Sequence, residues 1–140
     1  MTIVCVGCEL SALDISRMGI ALFLAICFLQ SGIDKIIDRK GNLQWLVGHF
    51  ANSPLKNLVP ILLSTITILE LVGGFLCLVG VADLILTKNS KLIFYGFSIN
   101  AIAIISLFFG QRIAKDYEGA SVLVNYFILT MLGILTFAFH

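Results

Sequence analysis

The sequence predicts an all-α integral membrane protein: a bundle of four transmembrane helices with a short interfacial amphipathic helix in the first loop. Three observations predict it. Hydrophobic residues make up 59% of the 140 positions and charged residues only 12%, about half the ~25% charged share of an average soluble domain. Mean hydropathy is +1.06. The apolar residues gather in four stretches, about 16–33, 58–86, 92–109 and 120–139. Each reaches or approaches the roughly 17–25 residues that cross a ~30 Å hydrocarbon core as a helix. A soluble bundle fails as a reading because no polar outer face remains to cover it. With a formal net charge of +1 and no basic patch, nucleic acid is not an implied partner; a lipid bilayer is.

Taken in chain order, residues 1–15 read as a tail carrying Cys5-Val6-Gly7-Cys8, and residues 16–140 as one membrane domain. The first span is expected to be retained rather than cleaved. No basic region precedes it, Asp14 sits just ahead of it, and it closes on Ser31-Gly32-Ile33-Asp34-Lys35 instead of a small-residue cleavage site. In the loop 34–57, Leu43, Leu46, Val47 and Phe50 follow i, i+3, i+4, i+7 spacing. This predicts a short helix lying in the interface, with Trp45 beside the stripe as a headgroup-level anchor. Ser53-Pro54 reads as an N-cap followed by proline at the first helical position, and Pro60 falls early in the second span, where a missing donor costs least.

Gly73, Gly74 and Gly80, with Cys77 between them, give the second span a small-residue face for close helix contact. Gly19, Ala21, Ala25, Ala101 and Ala103 offer similar surfaces. The third span is interrupted only by Ser98, Asn100 and Ser106, and the charged segment 110–119 leads into the fourth. The side of the membrane holding both termini and the second loop carries Arg17, Lys88 and Lys91. The other side carries Lys35, Arg39, Lys40, Lys56, Arg112 and Lys115. This asymmetry predicts the first and third loops in the cytoplasm and both termini outside.

Glu70 is the most informative single residue. A carboxylate at membrane depth costs roughly 2.5–3.5 kcal/mol on insertion scales, so it usually has a partner. At ~1.5 Å rise per residue, Glu70 lies roughly 24 Å from the N-terminal side, Gln30 and Asn125 about 20 Å, and Lys35, Gln111 and Arg112 about 27–32 Å. Polar side chains from three spans thus fall in one leaflet, with Lys35 or Arg112 able to reach down to Glu70. An acid, a cation and two amides at one level suit a ligand bearing a carbonyl or hydroxyl. For Gln30 and Asn125 the plainer reading is interhelical hydrogen bonding, worth ~0.6 kcal/mol each in membranes.

Cys5 and Cys8 form a Cys-x-x-Cys, which suits a redox disulfide or half of a metal site. No second pair completes a four-cysteine zinc site and no histidine follows for covalent haem attachment. Cys27 and Cys77 come out at similar depth and read as buried packing residues. His49 and His140 read as isolated, facing solvent or headgroups, and no metal-binding arrangement, nucleophile elbow, P-loop or dinucleotide fingerprint is present.

Phe28-Leu29-Gln30-Ser31-Gly32-Ile33-Asp34-Lys35, Leu69-Glu70-Leu71-Val72-Gly73-Gly74 and the stretch 109–120, from Phe109-Gly110-Gln111-Arg112 to Gly119-Ala120, resemble the DoxX family of small four-helix membrane proteins. The resemblance runs from about Arg17 to Phe137 in the family's order, and Gly48-His49-Phe50 and Ser53-Pro54-Leu55-Lys56 are most similar to members from Bacteroidetes bacteria. The cysteine-bearing tail lies outside it. The resemblance implies a place in the bacterial cytoplasmic membrane, and partnership with redox enzymes or exported proteins. It carries over the positions Gly32, Asp34 and Lys35, Glu70 and Gly74, and Gln111, Arg112, Asp116, Tyr117, Gly119 and Ala120. Together with Gln30 and Asn125, the polar members of that set, Asp34, Lys35, Glu70, Gln111, Arg112 and Asp116, are the expected ligand-binding residues.

Two function classes follow, with a third beside them. The first is a non-catalytic accessory subunit packed in a larger membrane complex, respiratory or redox in kind, or in a homo-oligomer. The second is a quinone-linked redox component in which Glu70 and a basic partner hold the quinone headgroup. The third is thiol–disulfide exchange through Cys5 and Cys8. The sequence has no haem ligand pair, flavin motif or iron–sulfur pattern, so no intrinsic cofactor is expected and a self-sufficient enzyme is disfavoured.

Overall fold

The computed structural model describes the backbone of residues 2–5 and 8–139 and the side chains of residues 10–139. Two short antiparallel strands, β1 (Thr2–Cys5) and β2 (Cys8–Ser11), precede α1 (Ala12–Ile37), α2 (Arg39–His49), α3 (Val59–Thr87), α4 (Lys91–Ile113) and α5 (Tyr117–Leu135). A single 3-10 turn, Thr136–Ala138, follows. Four of these helices, α1, α3, α4 and α5 with its 3-10 turn, are long and apolar enough to cross a membrane. The chain is therefore an all-α, multi-pass membrane bundle.

Local chemistry explains where the elements start and stop. α1 begins four residues ahead of the hydropathic edge because Ser11 and Asp14 form a capping box. Ser11 Oγ accepts from Asp14 N–H and Asp14 Oδ2 accepts from Ser11 N–H, both at 3.1 Å. Asp38 caps α2 through Gly41 N–H, and Asp116 caps α5 through Gly119 N–H at 2.9 Å. Lys115, with φ 62°, turns left-handed between α4 and α5. The expected cap at Ser53-Pro54 does not start a helix. Ser53 instead accepts from Leu55 N–H across a tight turn (3.1 Å), and α3 begins at Val59 with Pro60 in its first turn. α2 follows the expected stripe in part: Leu43 and Leu46 pack toward the core and Phe50 is buried, while Val47 and Trp45 are exposed.

α3 is the centre of the bundle. It packs antiparallel along α1 on one side and α4 on the other, and α4 in turn packs on α5. The small residues make this possible. A Cβ at Gly74 would stand 3.0 Å from the Leu29 backbone nitrogen of α1, and one at Gly80 would stand 2.8 Å from the Ile93 nitrogen of α4. Gly96 meets Cys77 and Gly32 meets Leu71 in the same way, while Ala21, Ala25 and Ala103 are buried between helices. Gly19 is different: open space surrounds it. Cys27 and Cys77 are free thiols, and Cys77 Sγ accepts from Asn100 Nδ2 at 3.3 Å.

The contact between α1 and α5 is much thinner than the others. Arg17 fastens it at the end nearer the termini, donating to the Thr136 carbonyl (2.7 Å) and hydroxyl (3.1 Å) with its guanidinium over the Phe137 ring at 4.1 Å. Further along, Phe23 and Tyr126 face each other at 6.4 Å between ring centres.

Gly80→Val is expected to force α3 from α4 and to cost about 1–3 kcal/mol, the usual range for overpacking. Thermal unfolding in detergent checks this against Gly19→Ala, which meets nothing and should lose no stability.

Candidate functional site

Glu70 sits on α3 one turn before Gly73 and Gly74, at the level where α1 approaches most closely, and only 2% of its side chain is exposed. Its partner comes from the last turn of α1. Lys35 Nζ lies 3.1 Å from Glu70 Oε2 and 3.4 Å from Oε1, and also donates to Ser31 Oγ, one turn back on its own helix, at 2.7 Å. Its position at a helix C-terminus favours the cation further. The charges cancel in place: Lys35 is 17% exposed, and the pair satisfies both groups without bulk water.

Lys35, with Glu70 buried behind it, borders a pocket of about 460 Å³. Its origin is a difference in helix length. The contacts of Gly32 with Leu71 and of Gly74 with Leu29 set α1 against α3 so that Ile37, the end of α1, lies level with about Ile66. α3 runs on for two further turns to Val59. The recess left beside it is walled by Leu62, Leu63, Ile66 and Leu69 of α3 and by Ile105, Phe109 and Gly110 of α4. Trp45 and Leu46 of α2, with Phe50 and Leu55 after it, form the remaining wall, and Lys35, Thr65, Ser106 and Gln111 supply the polar lining.

A second polar group ties α2 over this recess. His49 Nε2 donates to Gln111 Oε1 at 2.7 Å and lies 3.7 Å from Asp116 Oδ2. Trp45 stacks on the His49 ring at 4.5 Å with an interplanar angle of 17°. The sequence alone reads His49 as an isolated residue facing solvent or headgroups, because its partners stand 62 and 67 positions away. Only its place in the resemblance, beside Gly48 and Phe50, hints at it.

The structure divides the expected site residues. Lys35 and Glu70 are in contact, and Gln111 and Asp116 meet through His49. Arg112 does not reach Glu70; its side chain is exposed and lies over the Tyr117 ring at 4.5 Å. Asp34 is exposed and makes no side-chain bond among the described residues. Gln30 and Asn125 are exposed too, with no hydrogen-bond partner among the described residues, so neither lies beside Glu70. Depth placed them correctly to within a turn or two; their azimuth sends them outward. β1 and β2 set Cys5 opposite Cys8 in register, but the two thiols lie outside the described residues, as does His140. Among the described residues, no cluster of three or more His, Cys, Asp or Glu side chains is arranged to hold a metal ion.

Asn100, one of the three polar interruptions of the third span, is a further buried polar group. It is fully buried against Gly73, with its Oδ1 unpaired among the described residues. No family model, curated protein or solved structure matches this chain.

Removing one member of a buried ion pair leaves an uncompensated charge, at a cost of about 3–5 kcal/mol, whereas replacing both with apolar residues is often near neutral. Lys35→Leu is therefore expected to destabilise the bundle strongly and Lys35→Leu/Glu70→Leu to recover most of the loss. A double-mutant cycle on detergent unfolding midpoints measures the coupling.

Proposed function

We propose that this chain is a DoxX-like accessory subunit of a larger complex in a bacterial cytoplasmic membrane, respiratory or redox in kind. Its first and third loops face the cytoplasm and its termini the periplasm. The observation that carries the reading is the open seam between α1 and α5. There Asn125 presents an unpartnered amide beside Phe23, Val122, Tyr126 and Leu129, in a groove of about 320 Å³. An amide facing hydrocarbon has no water to bond, and a helix of another subunit supplying a hydrogen-bonding side chain relieves that cost. Gln30, on the same face of α1 as Phe23 and two turns away, extends the polar contact along the seam. The residues resembling DoxX and the charge asymmetry of the loops support the family and the orientation.

The test is affinity purification of the tagged chain from its native membrane in mild detergent. A larger protein is expected at stoichiometric yield. Two interhelical bonds of ~0.6 kcal/mol each amount to roughly a tenfold change in association, so Gln30→Leu/Asn125→Leu should cut recovery of the partner about that much with the chain's own unfolding midpoint unchanged. Recovery of the chain alone from wild-type membranes would sink the reading.

A quinone-linked role is the second reading, favoured by the pocket that Lys35 lines with Glu70 behind it. Under it, Glu70→Gln lowers quinone turnover by the complex while partner recovery stays at the wild-type level. An equal loss of both in that variant argues against it.

A further inference from the structure

The recess beneath α2 combines an apolar body with hydrogen-bond donors and no net charge, and these three properties together select a ligand. Its walls are aliphatic and aromatic side chains, and its volume of about 460 Å³ falls within the roughly 300–1,000 Å³ of small-molecule sites. Among the described residues the sole charged one in the lining is Lys35, whose ammonium is neutralised by Glu70 at 3.1 Å. With the ammonium already engaged by Glu70, an anionic head gains little there. The hydroxyls of Thr65 and Ser106 both donate to their own helix, to the Ile61 and Ile102 carbonyls at 2.9 and 2.8 Å. By contrast, Lys35 and the Trp45 indole can only donate, and the indole N–H has no acceptor among the described residues; Gln111 turns its oxygen to His49 and its nitrogen toward Gly119. The site thus asks for a group that accepts hydrogen bonds.

The geometry points to a binding site for a neutral amphiphile whose carbonyl head accepts hydrogen bonds from this pocket and whose apolar body fills the recess between α3 and α4 beneath α2. The inference stands on the pocket and does not depend on the accessory-subunit reading; an isolated chain suffices to test it. Two sources carry this chemistry in a membrane: an isoprenoid quinone and an acyl ester of glycerol. The recess spans Val59 to Leu69 on α3, about 15 Å along the helix, which is the reach of one leaflet's hydrocarbon. Leu62, Ile105 and Phe109, which line it, are also exposed on the outer face of the bundle, so an amphiphile enters sideways from the bilayer.

Trp45 is the only tryptophan of the chain and lines the pocket, which makes its fluorescence a local reporter. The full-length protein in phosphatidylcholine nanodiscs would be titrated separately with a short-chain benzoquinone, a dibrominated monoacylglycerol and a dibrominated phosphatidic acid. Saturable quenching by a neutral probe is expected, with half-saturation at least fivefold below that of the anion. Saturation by the quinone alone supports the site and assigns it to a quinone; saturation by the acylglycerol alone supports it and assigns it to a lipid.

Two pocket-filling variants provide the control. A Cβ at Gly110 would stand 3.5 Å from Phe50 Cζ, an ordinary contact, so Gly110→Leu is accepted by the backbone and its side chain enters the recess. Ser106→Leu fills the same space from the next turn and leaves α2 untouched. Each should raise half-saturation tenfold or more with helix content unchanged by circular dichroism. The inference is overturned by quenching that grows linearly with probe, by a preference for the anion, or by saturation that survives in both filled variants.

Discussion

Everything in this bundle depends on how closely α3 approaches the helices on either side of it. Gly73 and Gly74 are adjacent in sequence and therefore point about 100° apart around the helix, one toward Asn100 of α4 and the other toward Leu29 of α1. With two helices drawn in at one level, any side chain a turn away on the shared face is sealed from lipid and water alike. Glu70 is that side chain. Its burial follows from the glycines, and its tolerance follows from Lys35, the basic residue that the end of α1 brings within reach. The same close packing leaves Asn100 buried beside Gly73 with an unpaired oxygen, a cost of about 1–3 kcal/mol that the surrounding apolar contacts must offset.

The pocket is the other side of that arrangement. Because the glycine contacts fix the register of α1 against α3, the end of α1 is fixed too, and α3 and α4 continue past it unsupported. α2 is poor in apolar residues and has no fully buried position, so packing alone holds it weakly. Its attachment comes largely from hydrogen bonds at its two ends: Arg39 to Ser64 Oγ at 2.8 Å and His49 to Gln111 at 2.7 Å. A segment held by polar contacts at its ends over an apolar recess is the kind of element that opens locally at low cost.

Much of this was legible in the sequence. Hydropathy located all four spans to within a few residues, since burial in lipid requires long uninterrupted apolar runs. Helical rise alone was enough to bring Lys35 to Glu70, because a long flexible cation compensates for errors of several ångströms. Gln30, Asn125 and Arg112 stand at similar depth yet turn elsewhere, because rise gives depth and says nothing about azimuth. In a bundle with little amphipathic contrast, hydropathy does not report which way a polar residue faces. The early start of α1 was hidden because a capping box is made of polar residues, which a hydropathy window reads as the end of a span. The His49–Gln111–Asp116 group was hidden for a different reason: it joins two loops, and loop geometry follows from helix lengths that only the packed structure defines.

Those helix lengths have a consequence for the surrounding bilayer. α3 has 29 residues and α5 has 19, about 43 and 28 Å at the helical rise, against a hydrocarbon core of ~30 Å. A bilayer matched to α5 leaves more than a turn of α3 standing proud, or obliges it to tilt. The register of Gly80 against Ile93 and of Gly133 against Phe97 sets Val59 about level with the start of α5, so the surplus turns of α3 stand at its other end, from about Val79 to Thr87. A thin membrane lifts the exposed Ile85 and Leu86 there toward the aqueous phase, and a thick, sterol-rich or long-chain membrane covers them. Bilayer thickness thereby becomes a variable that sets how much apolar surface α3 shows at the second loop, while its recess end stays matched to α5.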